Sequence, residues 1–194
     1  MKFQKLLPKY ITTMALSGVL FFGISDNKTL AHTPVQGGTF DGYSVDIYNH
    51  AGKAHVNYVL SSSIDSNYKA FVLEGAKKWY SKGVIHFWND PSGAVGSFHK
   101  YSNQNSSTNA YYSEWKSDYN NHLYSWKIKL NTAKMNSRSF AANSITVVHE
   151  LGHAVGLNDL FRDFNGGVLM YGYSDRSATE PTKTDLLGAS RANW

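Results

Sequence analysis

Residues His149 to Asp159 read HELGHAVGLND, a run dense in groups that can do chemistry. On an α-helix, positions four apart share a face, so the imidazoles of His149 and His153 point the same way and can grip one metal ion, with Glu150 beside it. Neutral imidazole suits Zn²⁺, and a catalytic zinc takes three protein ligands while leaving a fourth position to water; the two histidines therefore need one more donor. Gly156 falls where a helix that ends in a left-handed residue wants glycine, because a Cβ there is penalised. The chain can turn sharply at that point and swing Asp159 back toward the metal, completing a His, His, Asp set with an open position. With this composition the full pattern arises by accident with a probability of roughly 3 in 100,000, which sets aside a buried amphipathic helix with incidental histidines. A rival third ligand is a downstream glutamate. Glu180 is the only one after the motif, but it directly precedes Pro181, where a helix-borne ligand is disfavoured.

The elements that must carry these groups are legible as alternation and helical spacing. His55 to Leu60 alternates like a half-buried strand. A helix follows, capped by Asp65 or Ser66, with Phe71, Val72, Ala76, Trp79 and Tyr80 at helical spacing until Gly83. Val84 to Trp88, Gly93 to Tyr101, Ala110 to Trp115 and Tyr124 to Leu130 read as four further strands, and the Tyr and Ser content of the middle two suggests a solvent-facing edge. The motif helix is expected from about Phe140 to Leu157, packed through Ile145, Val147, Val148, Leu151 and Ala154. A closing helix is expected over Thr182 to Ala189, with Pro181 at its start and Thr182 or Thr184 as cap.

The amino terminus sets the compartment. Lys2, Lys5 and Lys9 precede an apolar run over 11–24, and Thr29-Leu30-Ala31 suits cleavage, so residues 1–31 read as a secretory signal peptide. The run is too short and too interrupted by Thr, Ser and Gly for a spanning helix, so no stable membrane insertion is expected after cleavage. Residues 32–44 read as a flexible lead-in or short pro-segment, and 45–194 as one domain, with an upper part to about 156 and a lower part over 157–194. The signal segment holds four lysines and one aspartate, so removing it leaves a net charge of about +2 from the +5 of the whole chain. No basic cluster with interleaved aromatics occurs, and no nucleic-acid partner is expected. There is no cysteine, which excludes a thiolate zinc site.

HELGHAVGLND, followed by Met170 in VLMYG and by PTKTDLLG, resembles the metzincin clan of zinc endopeptidases, and the aspartate in the last ligand position resembles its snapalysin branch. That resemblance implies an α+β (α/β-like) zincin fold: a twisted, mixed but mostly parallel five-stranded sheet, a backing helix, an active-site helix and a small irregular C-terminal subdomain with a terminal helix. It implies zinc held by His149, His153 and Asp159, Glu150 as general base, and Met170 as the floor beneath the metal. Where several members carry a tyrosine two residues after the methionine, this chain has Gly172 between Tyr171 and Tyr173.

The expectation is a secreted, monomeric, zinc-dependent endopeptidase acting on proteins or peptides. The competing expectation is a secreted non-catalytic adhesive or carbohydrate-binding domain, for which 13 Tyr, 5 Trp and 10 Phe could supply the surface. Aromatics at that density belong more often to strands and core. His55, His86 and His99 fall in strands and are expected to be hydrogen-bonded or exposed rather than ligands, and Asp163 with Asn165 reads as a turn rather than a calcium loop.

Overall fold

The computed structural model describes residues 37–193. The expected signal peptide and the first part of the lead-in lie outside them. Two short strands, β1 (Gly37–Gly38) and β2 (Tyr43–Ser44), pair antiparallel ahead of the main sheet. That sheet comprises β3 (His55–Leu60), β4 (His86–Asn89), β5 (Gly96–Tyr101), β6 (Ala110–Ser117) and β7 (Leu123–Asn131). Its order is β4-β3-β5-β7-β6, parallel throughout except for the antiparallel edge strand β6. The helices are α1 (Ser66–Tyr80), the single turn α2 (Thr132–Met135), α3 (Phe140–Val155) and α4 (Lys183–Asn193). This is the α+β architecture expected: a mixed, mostly parallel sheet, a backing helix α1, the motif helix α3 and a less regular lower part closed by α4. Among the described residues no helix is long and apolar enough to cross a membrane.

Parallel neighbours need a crossover, and α1 supplies the one between β3 and β4. Asp65 caps it, accepting from the backbone N–H groups of Asn67 and Tyr68. The buried side of α1 lies against α3, where the Trp79 indole donates to the carbonyl of Val148 at 2.9 Å in the interior. Tyr58, Phe98, Trp126, Ile128 and Leu130 from the sheet meet Val147, Val148 and Leu151 of α3 in one core. Tyr68, Trp79 and Phe87 join this core, but among the described residues more aromatic side chains are exposed than buried, so the expectation that they belong to strands and core holds only in part.

Three expectations need correction. The β4 strand begins at His86 rather than Val84, because pairing with β3 starts at His55 opposite His86. The β5 strand begins at Gly96 because Gly93, at φ 63°, belongs to the preceding turn. More consequentially, β5 is not an edge: it lies between β3 and β7, and its Ser and His residues occupy a half-covered face while Gly96 and Phe98 are buried. Only β6 is the edge expected from composition.

Where the expected lead-in meets the domain, Tyr43 and Val45 are buried in the core. Asp46 donates its N–H to the carbonyl of Gly156 at 2.8 Å, and Asn158 donates to that of Ser44 at 2.8 Å. The segment thereby clamps the turn that leaves α3.

Candidate metal centre

Helix α3 starts where Ser139 accepts from the N–H of Ala142 and stops at Gly156, whose φ of 111° is left-handed. Leu157 N–H bonds the carbonyl of Gly152 at 3.0 Å and Gly156 N–H that of His153 at 3.0 Å, the paired bonds of a Schellman turn. A Cβ at Gly156 would sit 2.5 Å from the Cβ of His50, so glycine is required by space as well as by angle. The helix ends two residues before the expected Leu157 for this reason.

The turn has a direct consequence for the first site residue. It presents the carbonyl of Leu157 to His153, whose Nδ1 lies 2.8 Å from it. The other imidazole is held the same way, with His149 Nδ1 at 3.0 Å from the carbonyl of Leu169. A carbonyl can only accept, so both Nδ1 atoms carry a proton, and each ring turns Nε2 into the cleft.

Asp159 Oδ1 faces both rings, 3.0 Å from His149 Nε2 and 3.6 Å from His153 Nε2. It is buried and accepts no hydrogen bond of acceptable geometry. One ligand atom from each of the three residues lies within 4.8 Å of the others. Two ring nitrogens and a carboxylate oxygen packed this closely can share one cation. The chain therefore brings together His149, His153 and Asp159 in a form that fits one divalent ion, and nitrogen with carboxylate oxygen is a donor set suited to zinc.

Asp159 is fixed from both sides. Its neighbour Asn158 is bound to Ser44, while Leu160 donates to the carbonyl of Met170 at 2.9 Å and accepts from the N–H of Gly172 at 2.8 Å. Glu180, the rival ligand, instead pairs with Lys82 at 2.6 Å on the surface, away from the triad.

One supporting contact is not legible in the sequence. The carboxylate of Asp185, fully buried near the start of α4, accepts from the N–H groups of Leu169 at 3.0 Å, Met170 at 3.1 Å and Thr182 at 2.8 Å. It thereby fixes the turn whose Leu169 carbonyl orients His149. Each buried N–H left without such an acceptor costs about 1–3 kcal/mol, so Asp185 is a major tie between the lower part and the site. Thr182 caps α4 as expected, with Asp185 three residues on completing a reciprocal capping pair. Met170 is buried directly against Gly152, which lies between the two histidines in the chain.

Glu150 is buried, and loss of solvation pushes its carboxyl up to about 7, with Asp159 adding to the rise and His153 and Arg176 opposing it. Its carboxylate also feels the backbone N–H of Tyr112 on the edge strand β6. Glu150 and the triad open together into a cleft of about 770 Å³, walled by Tyr112 and Trp115 of β6 on one side and Tyr173 and Arg176 on the other. Tyr173 lines the cleft, whereas Tyr171 is buried with its hydroxyl 3.4 Å from Asp163.

The other histidines have different surroundings. His55 accepts from the indole of Trp88 at 3.3 Å, His99 bonds Ser97 at 3.0 Å, and His86 packs against Tyr80 with ring centroids 4.5 Å apart. Asp163–Asn165 forms a single 3₁₀ turn.

No family model matches the chain, and no curated protein matches it. Among solved structures it is similar to high choriolytic enzyme 1, a hatching enzyme zinc-protease from the medaka fish Oryzias latipes, with 12% identity, a TM-score of 0.44, and coverage of 83% of this chain and 100% of that one. At that level the likeness leaves the chemistry to be read from the site itself.

Proposed function

We propose that this chain is a secreted zinc-dependent endopeptidase in which His149, His153 and Asp159 hold the metal and Glu150 is the general base. The observation that carries the reading is the meeting of two Nε2 atoms and a buried carboxylate oxygen, beside a buried glutamate in an open cleft. The Asp-for-His pattern of the snapalysin branch supports the same assignment. Bound zinc would act as a Lewis acid, polarising the scissile carbonyl and acidifying a water.

The chain's own groups supply the rest. Glu150 takes a proton from the attacking water as its oxygen bonds to the carbonyl carbon, then returns that proton to the departing amine nitrogen as the C–N bond breaks. A carboxyl whose affinity for protons lies near neutrality can do both. The carbonyls of Leu169 and Leu157 hold the imidazoles in the tautomer that a metal requires. Peptide substrates suit the open cleft beside the edge strand, and the signal-like amino terminus supports an extracellular setting.

The test is cleavage of an unfolded protein by purified chain, followed by a strong chelator and then by added zinc. Cleavage should stop with the chelator and return with zinc. Persistent cleavage after the metal has been stripped would contradict the proposal, and so would its absence from zinc-loaded protein.

A further inference from the structure

Two arginines open into the same cleft as the triad, and neither forms a salt bridge among the described residues. Arg138 donates from Nη1 to the hydroxyl of Thr146 at 2.9 Å, and that hydroxyl is itself spent on the carbonyl of Ala142 at 3.1 Å. Thr146 lies one helical turn ahead of Glu150, so Arg138 is moored next to the catalytic stretch of α3. Arg176, which lines the same cleft, is moored by its Nε donating to the carbonyl of Tyr171 at 3.0 Å. Each guanidinium has five N–H donors in a planar fork, and each mooring uses one of them on a neutral acceptor.

Neither arginine forms an ion pair among the described residues, where every salt bridge is made by lysine or histidine. Both side chains are partly withdrawn from water, and this burial works against their charge; for Arg176 the charge of Arg138 adds to the penalty, while Glu150, Asp159 and Asp185 offset it. Guanidinium stays protonated regardless. Glu150, Asp159 and Asp185 act on Arg176 only from beyond salt-bridge distance, and the free fork of each partly buried guanidinium matches a further carboxylate.

We propose that Arg138 and Arg176 form a carboxylate-binding subsite that directs cleavage to peptide bonds flanked by an acidic group. The inference rests on the endopeptidase reading above and adds the chemistry of the preferred substrate. The carboxylate has two possible sources, an Asp or Glu side chain next to the scissile bond or a free C-terminus close by.

Both sources can be tested with the zinc-loaded full chain. One set of quenched peptides varies a single residue beside the scissile bond among Asp, Asn, Glu, Gln, Lys and Leu, and a second set offers short peptides as free acid or amide. A charge-assisted pair should raise kcat/KM about tenfold or more for the carboxylate over its neutral isostere in one of the two sets. The Arg138→Gln and Arg176→Gln proteins should bring that ratio toward one, and Arg176→Lys should restore part of it. Melting temperature and zinc content would identify a variant that has merely lost its fold.

If peptides are cut without preference in either set, the subsite is overturned and the hydrolase reading stands. If nothing is cut, the hydrolase reading fails, and binding of the same peptides to Glu150→Gln protein decides the subsite. Tighter binding of the carboxylate form would support it, and equal binding would overturn it.

Discussion

The Glu150→Gln protein is expected to lose peptide turnover by at least about a thousandfold, in line with the 10²–10⁴ that a positioned acid–base group contributes, and to bind zinc as tightly as the parent. Gln keeps the volume and the buried position of Glu150 but cannot take a proton from water or return it to an amine. Since Glu150 is not one of the three converging donors, the metal site has no reason to change. Metal content and kcat/KM measured on one preparation check both halves. Full activity would remove Glu150 from the mechanism, and lost zinc would make it a ligand or a structural support instead.

The second large effect concerns Asp159. An Asp159→Ala protein is expected to weaken zinc binding by more than the roughly 10–100-fold that follows loss of a group merely supporting a ligand, and to lose activity with the metal. Glu180→Ala should change neither, because Glu180 spends its charge on Lys82 in an exposed pair, and such pairs contribute little. Competition against a chromophoric chelator gives both affinities. Weak zinc binding in Glu180→Ala with normal binding in Asp159→Ala would reverse the ligand assignment.

What could be read in advance follows from how local each signal is. The face shared by His149 and His153, the need for glycine at 156 and the return of Asp159 are all set within eleven consecutive residues, through helix periodicity and one turn. Strand and helix positions were legible for the same reason. The order of the strands is not, because polar residues on a half-covered central strand and on an edge strand look alike until the pairing is known, and β5 reads as an edge for that reason. Long-range supports leave no local trace. Asp185 looks like an ordinary helix-start carboxylate, and only the fold shows it gripping Leu169 and Met170. Nothing in Tyr43 to Asp46 announces a clamp on the turn after α3. Arg138 and Arg176 are far apart in the chain and meet only across the cleft.

The central claim is that two imidazoles and one carboxylate hold a single divalent ion while leaving room for solvent. X-ray absorption at the zinc edge of stoichiometrically loaded protein tests it most directly. The account predicts one zinc per chain, with the scattering signature of two imidazoles, a carboxylate oxygen and one further light atom from solvent. A zinc lacking either imidazole, or one enclosed by four protein ligands, would contradict it.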